Sequence, residues 1–382
     1  MTQRYAAVDA LRGLIMILMA IDHASAFIAR QHGAEFWAGA MSAYDSAFPF
    51  VTRLVTHLCA PGFFFLMGAG IYWFAASRRK AGWTDGEIAR RTALRGLALF
   101  AAAQAFEAPM MLLQQKLPPA KAALSRITAP PPNDGTDLYW GFITLTGLGL
   151  VMAACAGLLK LPVWMWPVAA GLCLFATNSL LPASGQPEGA WRALLLAPGI
   201  SEHVLVIYPV IPWLAAAAAG MYFGWRWRER PESGERMAWA AGATLLVAGI
   251  ALRAAGGWGN IRLPRDGSWI EFLNNVKYPP SAVFLALAIG VDLLLLGALS
   301  RAPRILLGER SPLIVFGQTP LFFYLAHFSL LAALAFGFFG EPGTLGMAYA
   351  MWAVALAALY PVCAWYRRFK SARPLESFWR LF

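Results

Sequence analysis

Long apolar stretches divide this chain into ten segments, each close to the length that crosses a bilayer as a helix, which is about 20 apolar residues. They cover residues 8–29, 53–76, 93–114, 138–159, 161–181, 203–225, 238–256, 279–300, 312–337 and 345–366. Backbone groups in lipid must satisfy one another, and no alternation typical of a barrel strand is visible, so helices are expected. The pattern predicts an all-α, polytopic membrane helix bundle in one domain over 1–382, without an internal repeat.

Composition agrees with a membrane protein. Hydrophobic residues make up 59% of the chain and charged residues only 13%, whereas a soluble domain is near half apolar and a quarter charged. The N-terminal segment resembles a cleaved signal sequence, with Ala24-Ser25-Ala26 as a cleavage site. Asp9 and Arg12 interrupt its apolar region, so we interpret it as the first transmembrane helix.

The net charge of +11 is explained by topology. If the N-terminus lies inside, roughly two thirds of the Lys and Arg residues fall in cytoplasmic segments, as the positive-inside rule requires. This distribution predicts that both termini are cytoplasmic and leaves no need for a nucleic-acid partner. The four cysteines lie inside apolar runs, which indicates buried thiols rather than a disulfide: Cys59, Cys155, Cys173 and Cys363.

Four ionisable side chains share one predicted depth in the outer third of the membrane. Asp22 and His23 lie roughly 20 Å from the inner face, His327 roughly 22 Å from it, and His57 roughly 6 Å below the outer face. Ionisable residues in a membrane are costly, and histidine is the usual general base near neutral pH. The cluster predicts a catalytic pocket open to the outer side. In the alternative interpretation, each histidine only hydrogen-bonds a neighbouring helix.

The geometry of a helix limits how Asp22 can act. Adjacent residues point about 100° apart, so Asp22 is not expected to orient His23. A partner on another helix is expected instead, with His57 or His327 as the candidates. A metal site from the same residues is an alternative, but the chain has no HExxH motif, and we expect no metal.

Two further groups of residues suggest binding sites on opposite faces. Arg53 and Lys277, at the predicted outer mouth, are candidates to contact an anionic acceptor, and Trp37 in the first outer loop is a candidate to bind a sugar. An interfacial aromatic belt is the alternative for Trp37. Near the inner helix ends, a basic group is a candidate phosphate site for a donor, with ordinary positive-inside topology as the alternative: Arg12, Arg91, Arg95 and Arg310.

Two smaller patterns concern helix packing. Asp9 and Arg12 are three residues apart and can pair on one helix face. Gly68-Ala69-Gly70 lies inside an apolar segment, outside the strand–loop–helix setting of a nucleotide loop. We therefore expect it to serve close helix packing, which also permits a homo-oligomer.

Several segments, in this order, resemble a known group of membrane enzymes. They are VDALRG at 8–13, THLCAPGFFFLMG at 56–68, YPVIPW at 208–213, KYPPS at 277–281 and FGQTPLFFYLAH at 316–327. Together they are similar to the bacterial relatives of heparan-α-glucosaminide N-acetyltransferase, within the transmembrane acyltransferase superfamily. The matching pieces run along nearly the whole chain.

The resemblance implies an enzyme that takes an acyl group, usually acetyl, from cytosolic acyl-CoA and passes it to a glycan amine or hydroxyl across the membrane. A bacterial inner membrane is the implied location. In lysosomal members a histidine in the loop after the first helix is implicated, but His32 lies close without matching clearly. Those members also tend to carry an acidic residue at the position of His57. We expect Asp22 and His57 to be the main catalytic residues, with His23 and His327 supporting them.

Two other classes of function remain open at this point. Intramembrane Asp and His residues also build proton relays, and helices broken near Pro209, Pro212 and Pro320 would suit a proton-coupled transporter or permease. The absence of repeated halves in the sequence argues against that reading. A non-catalytic scaffold or lipid-binding protein is the third class.

Overall fold

A computed structural model describes residues 6–31, 35–39, 41–115, 139–182, 185, 187–201, 203–374, 377 and 379. His32 and most of the outer loop 115–137 lie outside the described residues. The described residues are mostly helical, at 73%, which confirms the predicted helical class.

The helices of the described part are listed here in chain order. They are α1 (Ala6–Ala24), α2 (Ala47–Thr56), α3 (Cys59–Lys80), α4 (Asp85–Ala102), α5 (Ala108–Gln115), α6 (Thr144–Leu158), α7 (Met165–Ser179), α8 (Ala190–Leu195), α9 (Val210–Glu229), α10 (Gly234–Ala255), α11 (Trp269–Leu273), α12 (Ala282–Ser300), α13 (Arg304–Leu307), α14 (Pro312–Gln318), α15 (Pro320–Phe338) and α16 (Leu345–Ser371). Single π-helical turns extend α1 over Ser25–Ala29 and α4 over Ala103–Glu107.

Seven helical segments in the described residues are long and apolar enough to cross a membrane. They are Ala6–Ala29, Ala47–Lys80, Asp85–Leu113, Pro231–Ala255, Ala282–Ser300, Pro320–Phe338 and Leu345–Ser371. The other three predicted spans coincide with α6, α7 and α9. Helices α6 and α7 have 15 residues each, and α9 ends in charged residues. Ten crossings and cytoplasmic termini therefore stay predictions.

The predicted ninth span, 312–337, is two helices. It breaks at Thr319, whose φ of −126° and ψ of 43° are not helical. Pro320, which follows, disfavours the helical conformation in the residue before it and has no N–H to donate. The break ends α14, and α15 begins at the next residue, Pro320.

A small sheet, which the hydrophobic pattern did not predict, joins two loops. Strands β1 (Trp140–Phe142), β2 (Gly199–Ser201) and β3 (Val204–Val206) pair in the order β1-β3-β2. The sixth predicted span therefore starts too early: residues 204–206 are extended, and helix α9 begins only at Val210. His203 lies in the turn before β3 instead of on a helix.

Helix α1 lies in the interior of the bundle. It contacts α2, α3, α12, α14, α15 and α16, and its buried face includes Leu11, Ile15 and Met19. Side chains near the two ends of α1 therefore face protein on several sides. We call the end of the bundle that holds Asp22 and the loop 257–278 the predicted outer end, and the opposite end, with Arg12, the predicted inner end.

Arg253, at the last turn of α10, organises the loop 257–278. Its guanidinium is 2% exposed and all five of its N–H donors have oxygen partners. They donate to the carbonyls of Arg262, Glu271, Phe272 and Asn274 and to the side chain of Asn260. The loop is thereby fixed as it leads back to Lys277 and Tyr278.

Close contact between α3 and α9 depends on Gly68. A Cβ there would lie 1.9 Å from the carbonyl oxygen of Ala217, whereas a Cβ on Gly70 would meet no atom within 4 Å. Overpacking of this kind costs about 1–3 kcal/mol. We expect Gly68→Ala to lower the unfolding temperature in detergent, and Gly70→Ala, the matched control, to leave it unchanged or raise it. Equal unfolding temperatures for the two variants would contradict this packing.

Candidate active site at the predicted outer end

Arg53 on α2 joins two carboxylates from different parts of the chain. Its Nε and Nη2 donate to the two carboxylate oxygens of Glu35, at 2.7 and 2.5 Å, and Nη1 donates to Oδ1 of Asp22 at 2.5 Å. The hydroxyl of Thr56 also donates to Asp22, at 3.2 Å. Such a bidentate, charge-assisted arrangement is among the stronger polar contacts in proteins. On another helix, Asp22 thus contacts Arg53 and Thr56 of α2, where His57 or His327 was expected.

Glu35 is fully buried and also faces His57. Nε2 of His57 lies 3.5 Å from Oε1 of Glu35, and the imidazole packs edge-on against Phe284. Burial alone would raise the pKa of Glu35, but the charge and hydrogen bonds of Arg53 outweigh it and hold that pKa well below its usual range. Glu35 is therefore an anion that links Arg53 and His57.

The backbone of Glu35 is held by the loop that precedes α12. Its carbonyl accepts from the N–H groups of Lys277 and Tyr278, and Trp37 N–H donates to the carbonyl of Tyr278. The ammonium of Lys277 lies 5.1 Å from the centre of the Tyr278 ring. The loop that contains Glu35 is thus positioned by the loop that contains Lys277, about 240 residues later in the sequence.

The structure corrects the position expected for Arg53, Lys277 and Trp37. They were placed at the outer mouth, but they are only 5%, 2% and 8% exposed. The indole N–H of Trp37 donates to the carbonyl of Pro198 at 2.7 Å. All three side chains support the site from inside. Asp22 and His23, by contrast, are half-buried.

His23 and His327 form a hydrogen-bonded pair between α1 and α15. Nδ1 of His23 lies 2.7 Å from Nε2 of His327, and Nδ1 of His327 lies 2.9 Å from the carbonyl oxygen of Phe323. A carbonyl only accepts, so Nδ1 of His327 must carry a proton and donate it. In the neutral pair, His327 then accepts from Nδ1–H of His23. This tautomer puts the lone pair of His23 on Nε2.

Asp22 and His23 therefore act in different directions, as their adjacency predicts. Asp22 faces Arg53 and Thr56, while His23 faces His327 and packs edge-on against Tyr324 and Phe328. By their positions in the predicted spans, Asp22, His23, His57 and His327 share one predicted depth. The structure divides them between two polar networks that meet at the end of α1.

Glu107 extends the network of His23 and His327 through Tyr324. It was not among the residues predicted from the sequence. Its carboxylate accepts the hydroxyl proton of Tyr324 and the backbone N–H of Leu145. It lies at the end of the π-helical turn Ala103–Glu107, and a second such turn, Ser25–Ala29, follows His23. Single π-helical turns are frequent at functional sites. The signal in the sequence that could have identified Glu107 is that it is an isolated carboxylate inside a predicted span.

The predicted donor residues lie at the predicted inner end. The charges of Arg12 and Arg91 both act on Arg95, so each of these two side chains lies near Arg95. Arg12 pairs with Asp9 at 3.2 Å, as expected, and also donates to the carbonyl of Gly317. Arg310 lies on a groove of about 520 Å³ that Arg304, Glu309 and Pro312 also line. Within the described residues, no three His, Cys, Asp or Glu side chains are arranged to hold a metal ion.

Outside the membrane-spanning helices, Glu271 gives the loop 257–278 a pH-dependent contact. Hydrogen bonds from Arg265 are the main cause that lowers the pKa of Glu271 to about 2. Because this pKa lies below that of an unfolded Glu, near 4.3, the contact stabilises the fold fully above that value and is lost as pH falls toward 2. We expect unfolding temperatures of the wild type and Glu271→Gln to differ at pH 6 and to converge on acidification. A difference in unfolding temperature that stays constant down to pH 2 would contradict this role of the contact between Glu271 and Arg265.

A comparison with known protein families gives a match to this chain. The family model described as heparan-alpha-glucosaminide N-acetyltransferase, catalytic, matches residues 4–252, while no curated protein matches the chain. The match includes Arg12, Asp22, Glu35 and Arg53, and ends before Lys277 and His327. It covers well over half of the chain. This chain, an integral membrane protein, therefore belongs to the heparan-alpha-glucosaminide N-acetyltransferase catalytic family.

Proposed function

We propose that the chain transfers an acyl group, most simply acetyl, from cytosolic acetyl-CoA to an amine or hydroxyl of a glycan or other polar acceptor. The acceptor lies on the extracytoplasmic side of a bacterial inner membrane. Proteins of this family use acetyl-CoA as donor in general. The observation that carries the proposal is that one interior helix, α1, presents Asp22 and His23 at one end and Arg12 at the other. The two sites are separated by about 15 Å along the helix axis.

At the acceptor site, His23 is the general base. Its Nε2 takes the proton from the attacking amine or hydroxyl, and His327 holds the ring in the required tautomer, an arrangement of base and orienting group. Asp22 accepts a hydrogen bond from the acceptor and is itself fixed by Arg53 and Thr56. The burial of His57 favours a supporting role for it, through Glu35, in place of the base role expected from the sequence.

At the donor site, Arg12, Arg91 and Arg95 bind the CoA phosphates. Guanidinium groups suit phosphates because they offer paired N–H donors with a permanent charge. Arg310, in the neighbouring groove, is a further phosphate contact. No metal ion is expected in either half of the reaction.

Purified protein incubated with labelled acetyl-CoA and bacterial glycans tests the proposal. We expect CoA release together with an acetylated product. Lack of CoA binding and of CoA release, for donors of every acyl length, would rule it out.

The donor site makes a separate prediction. Arg95→Gln should weaken CoA binding by about tenfold, which corresponds to the 1.4 kcal/mol of one lost charge-assisted contact. Arg301→Gln is the matched control, because Arg301 is 69% exposed and paired with Glu235. Calorimetry with CoA gives both affinities. Equal affinity in the two variants would move the donor site elsewhere.

A proton-coupled transporter is the second candidate, favoured by one observation. Asp292, in the middle of α12, is buried without a hydrogen-bonding partner among the described residues. Membrane carboxyls of this kind occur in proton pathways. Proton-coupled uptake of a solute into proteoliposomes, absent in Asp22→Asn, would support transport over acyl transfer.

A further inference from the structure

Asp292 is the carboxyl for which the acceptor and donor sites give no role. It is 1% exposed, and neither of its oxygens has a hydrogen-bond partner in the described part of the chain. It follows the start of α12 by ten residues, so it lies about 15 Å along a helix that crosses a core about 30 Å thick. This position is near the middle of the membrane.

The carboxyl of Asp292 packs tightly against α3 and α1. A Cβ on Gly62 would lie 2.8 Å from its Oδ2 and 2.5 Å from Cδ1 of Ile15. This side of the carboxyl has no room for a metal ion with its other ligands. An ionised carboxylate without a partner is costly in such surroundings. The species that can neutralise it within this packing is a proton.

Cys59 lies near both Asp292 and Asp22. Its thiol donates to the carbonyl of Ile15 at 3.5 Å. Helix α10, on the other side of α12, carries ionisable groups only in its first and last turns. The titratable and charged side chains of the elements packed against α12 are Asp9, Arg12, Asp22 and His23 on α1; His57, which contacts Phe284, after α2; Cys59, Tyr72, Arg78, Arg79 and Lys80 on α3; and Glu235, Arg236 and Arg253 on α10.

Acyl transfer across a membrane creates a proton imbalance. A bond forms between the acyl carbon and the acceptor nitrogen or oxygen, the bond between that carbon and sulfur breaks, and the acceptor loses one proton. The CoA thiolate that leaves must gain one proton to become CoA thiol. If the acceptor is outside and the donor inside, that proton has to move inward.

We propose that Asp292 is the intramembrane proton-binding group of this reaction: protonated at rest, it gives its proton to the leaving CoA thiolate and regains one from the acceptor by way of His23. The proposal rests on the proposed acyl transfer. His23 and Asp22 cannot fill this role, because both lie at the predicted outer end.

Asp292→Asn and Asp292→Leu test this role. Both remove a buried group without a partner, so both should unfold at or above the wild-type temperature. We expect both to lose turnover by on the order of 10²-fold, with unchanged CoA affinity and a flattened dependence of kcat on pH. Asp85→Asn, an exposed carboxyl paired with Arg79, is the control that keeps wild-type turnover. Wild-type turnover and pH profile in Asp292→Asn would overturn the proposal.

Infrared spectroscopy tests proton binding without any substrate. We expect the wild type to show the carbonyl stretch of a protonated carboxylic acid, shifted in D2O and missing in Asp292→Asn. An identical spectrum in the two proteins would overturn the role of Asp292 even if acyl transfer is found. Absence of acyl transfer together with this band would refute the enzyme function and leave Asp292 as the proton site of a transporter.

Discussion

His23→Ala is expected to lower kcat for acetyl transfer by about 10²- to 10⁴-fold, the range that a positioned general base contributes. Donor affinity should not change, because His23 lies at the opposite end of α1 from Arg12. The loss of kcat is expected because the carbonyl of Phe323 fixes His327, and His327 in turn fixes the tautomer of His23. Turnover and CoA affinity, measured separately on the purified variant, check this prediction.

Two comparisons sharpen the test of His23. His327→Gln should cause a smaller loss of kcat, because an amide can still accept from Nδ1–H of His23 while being less well oriented. His57→Ala should mainly lower stability, since His57 is buried against Glu35 and Phe284. A folded His57→Ala protein with a larger loss of kcat than His23→Ala would return the base role to His57.

Arg53→Met is expected to destabilise the protein by about 3–5 kcal/mol, the cost of leaving buried charges without their partner. Glu35 is fully buried and Asp22 is largely so, and both depend on the same guanidinium. Unfolding in detergent, followed by denaturant or heat, measures the change. The double variant Arg53→Met/Glu35→Met should recover part of the stability, because it removes one of the two stranded carboxylates.

Arg79→Met is the matched control for Arg53→Met. Arg79 also pairs with a carboxylate at 2.7 Å, that of Asp85, but both side chains are exposed. Exposed pairs contribute about 0–1 kcal/mol, so this variant should unfold close to the wild type. Equal stability of Arg53→Met and Arg79→Met would show that the buried network does not hold the site together.

The sequence predicted the helical class, and a shared level for His23 and His327, because both follow from local rules. A residue's depth depends on its distance from the start of its own span, so Asp22, His23 and His327 could be brought to one level. Which of them touch depends on the rotation of each helix about its axis, and this is set by packing. The pairing of His23 with His327, and that of Asp22 with Arg53, could therefore not be predicted from the pattern.

The role of Glu35 and the small sheet could not be predicted from the sequence, for a related reason. Glu35 belongs to an outer loop whose position depends on backbone bonds to residues 277 and 278, and no local signal announces such a distant contact. The strands have three residues each, too few to show alternation. Arg53 and Lys277 were assigned to the outer mouth because charges near a span end usually reach water, whereas here buried partners hold them inside.

The central claim is that donor and acceptor are served on opposite faces of the membrane. Sealed proteoliposomes with the protein in one known orientation, labelled acetyl-CoA enclosed inside and a glycan amine only outside, test it directly. We predict labelled acceptor outside and CoA thiol inside when the predicted inner end faces the lumen, with both lost in His23→Ala. Labelled product formed only when donor and acceptor share one compartment would contradict the account.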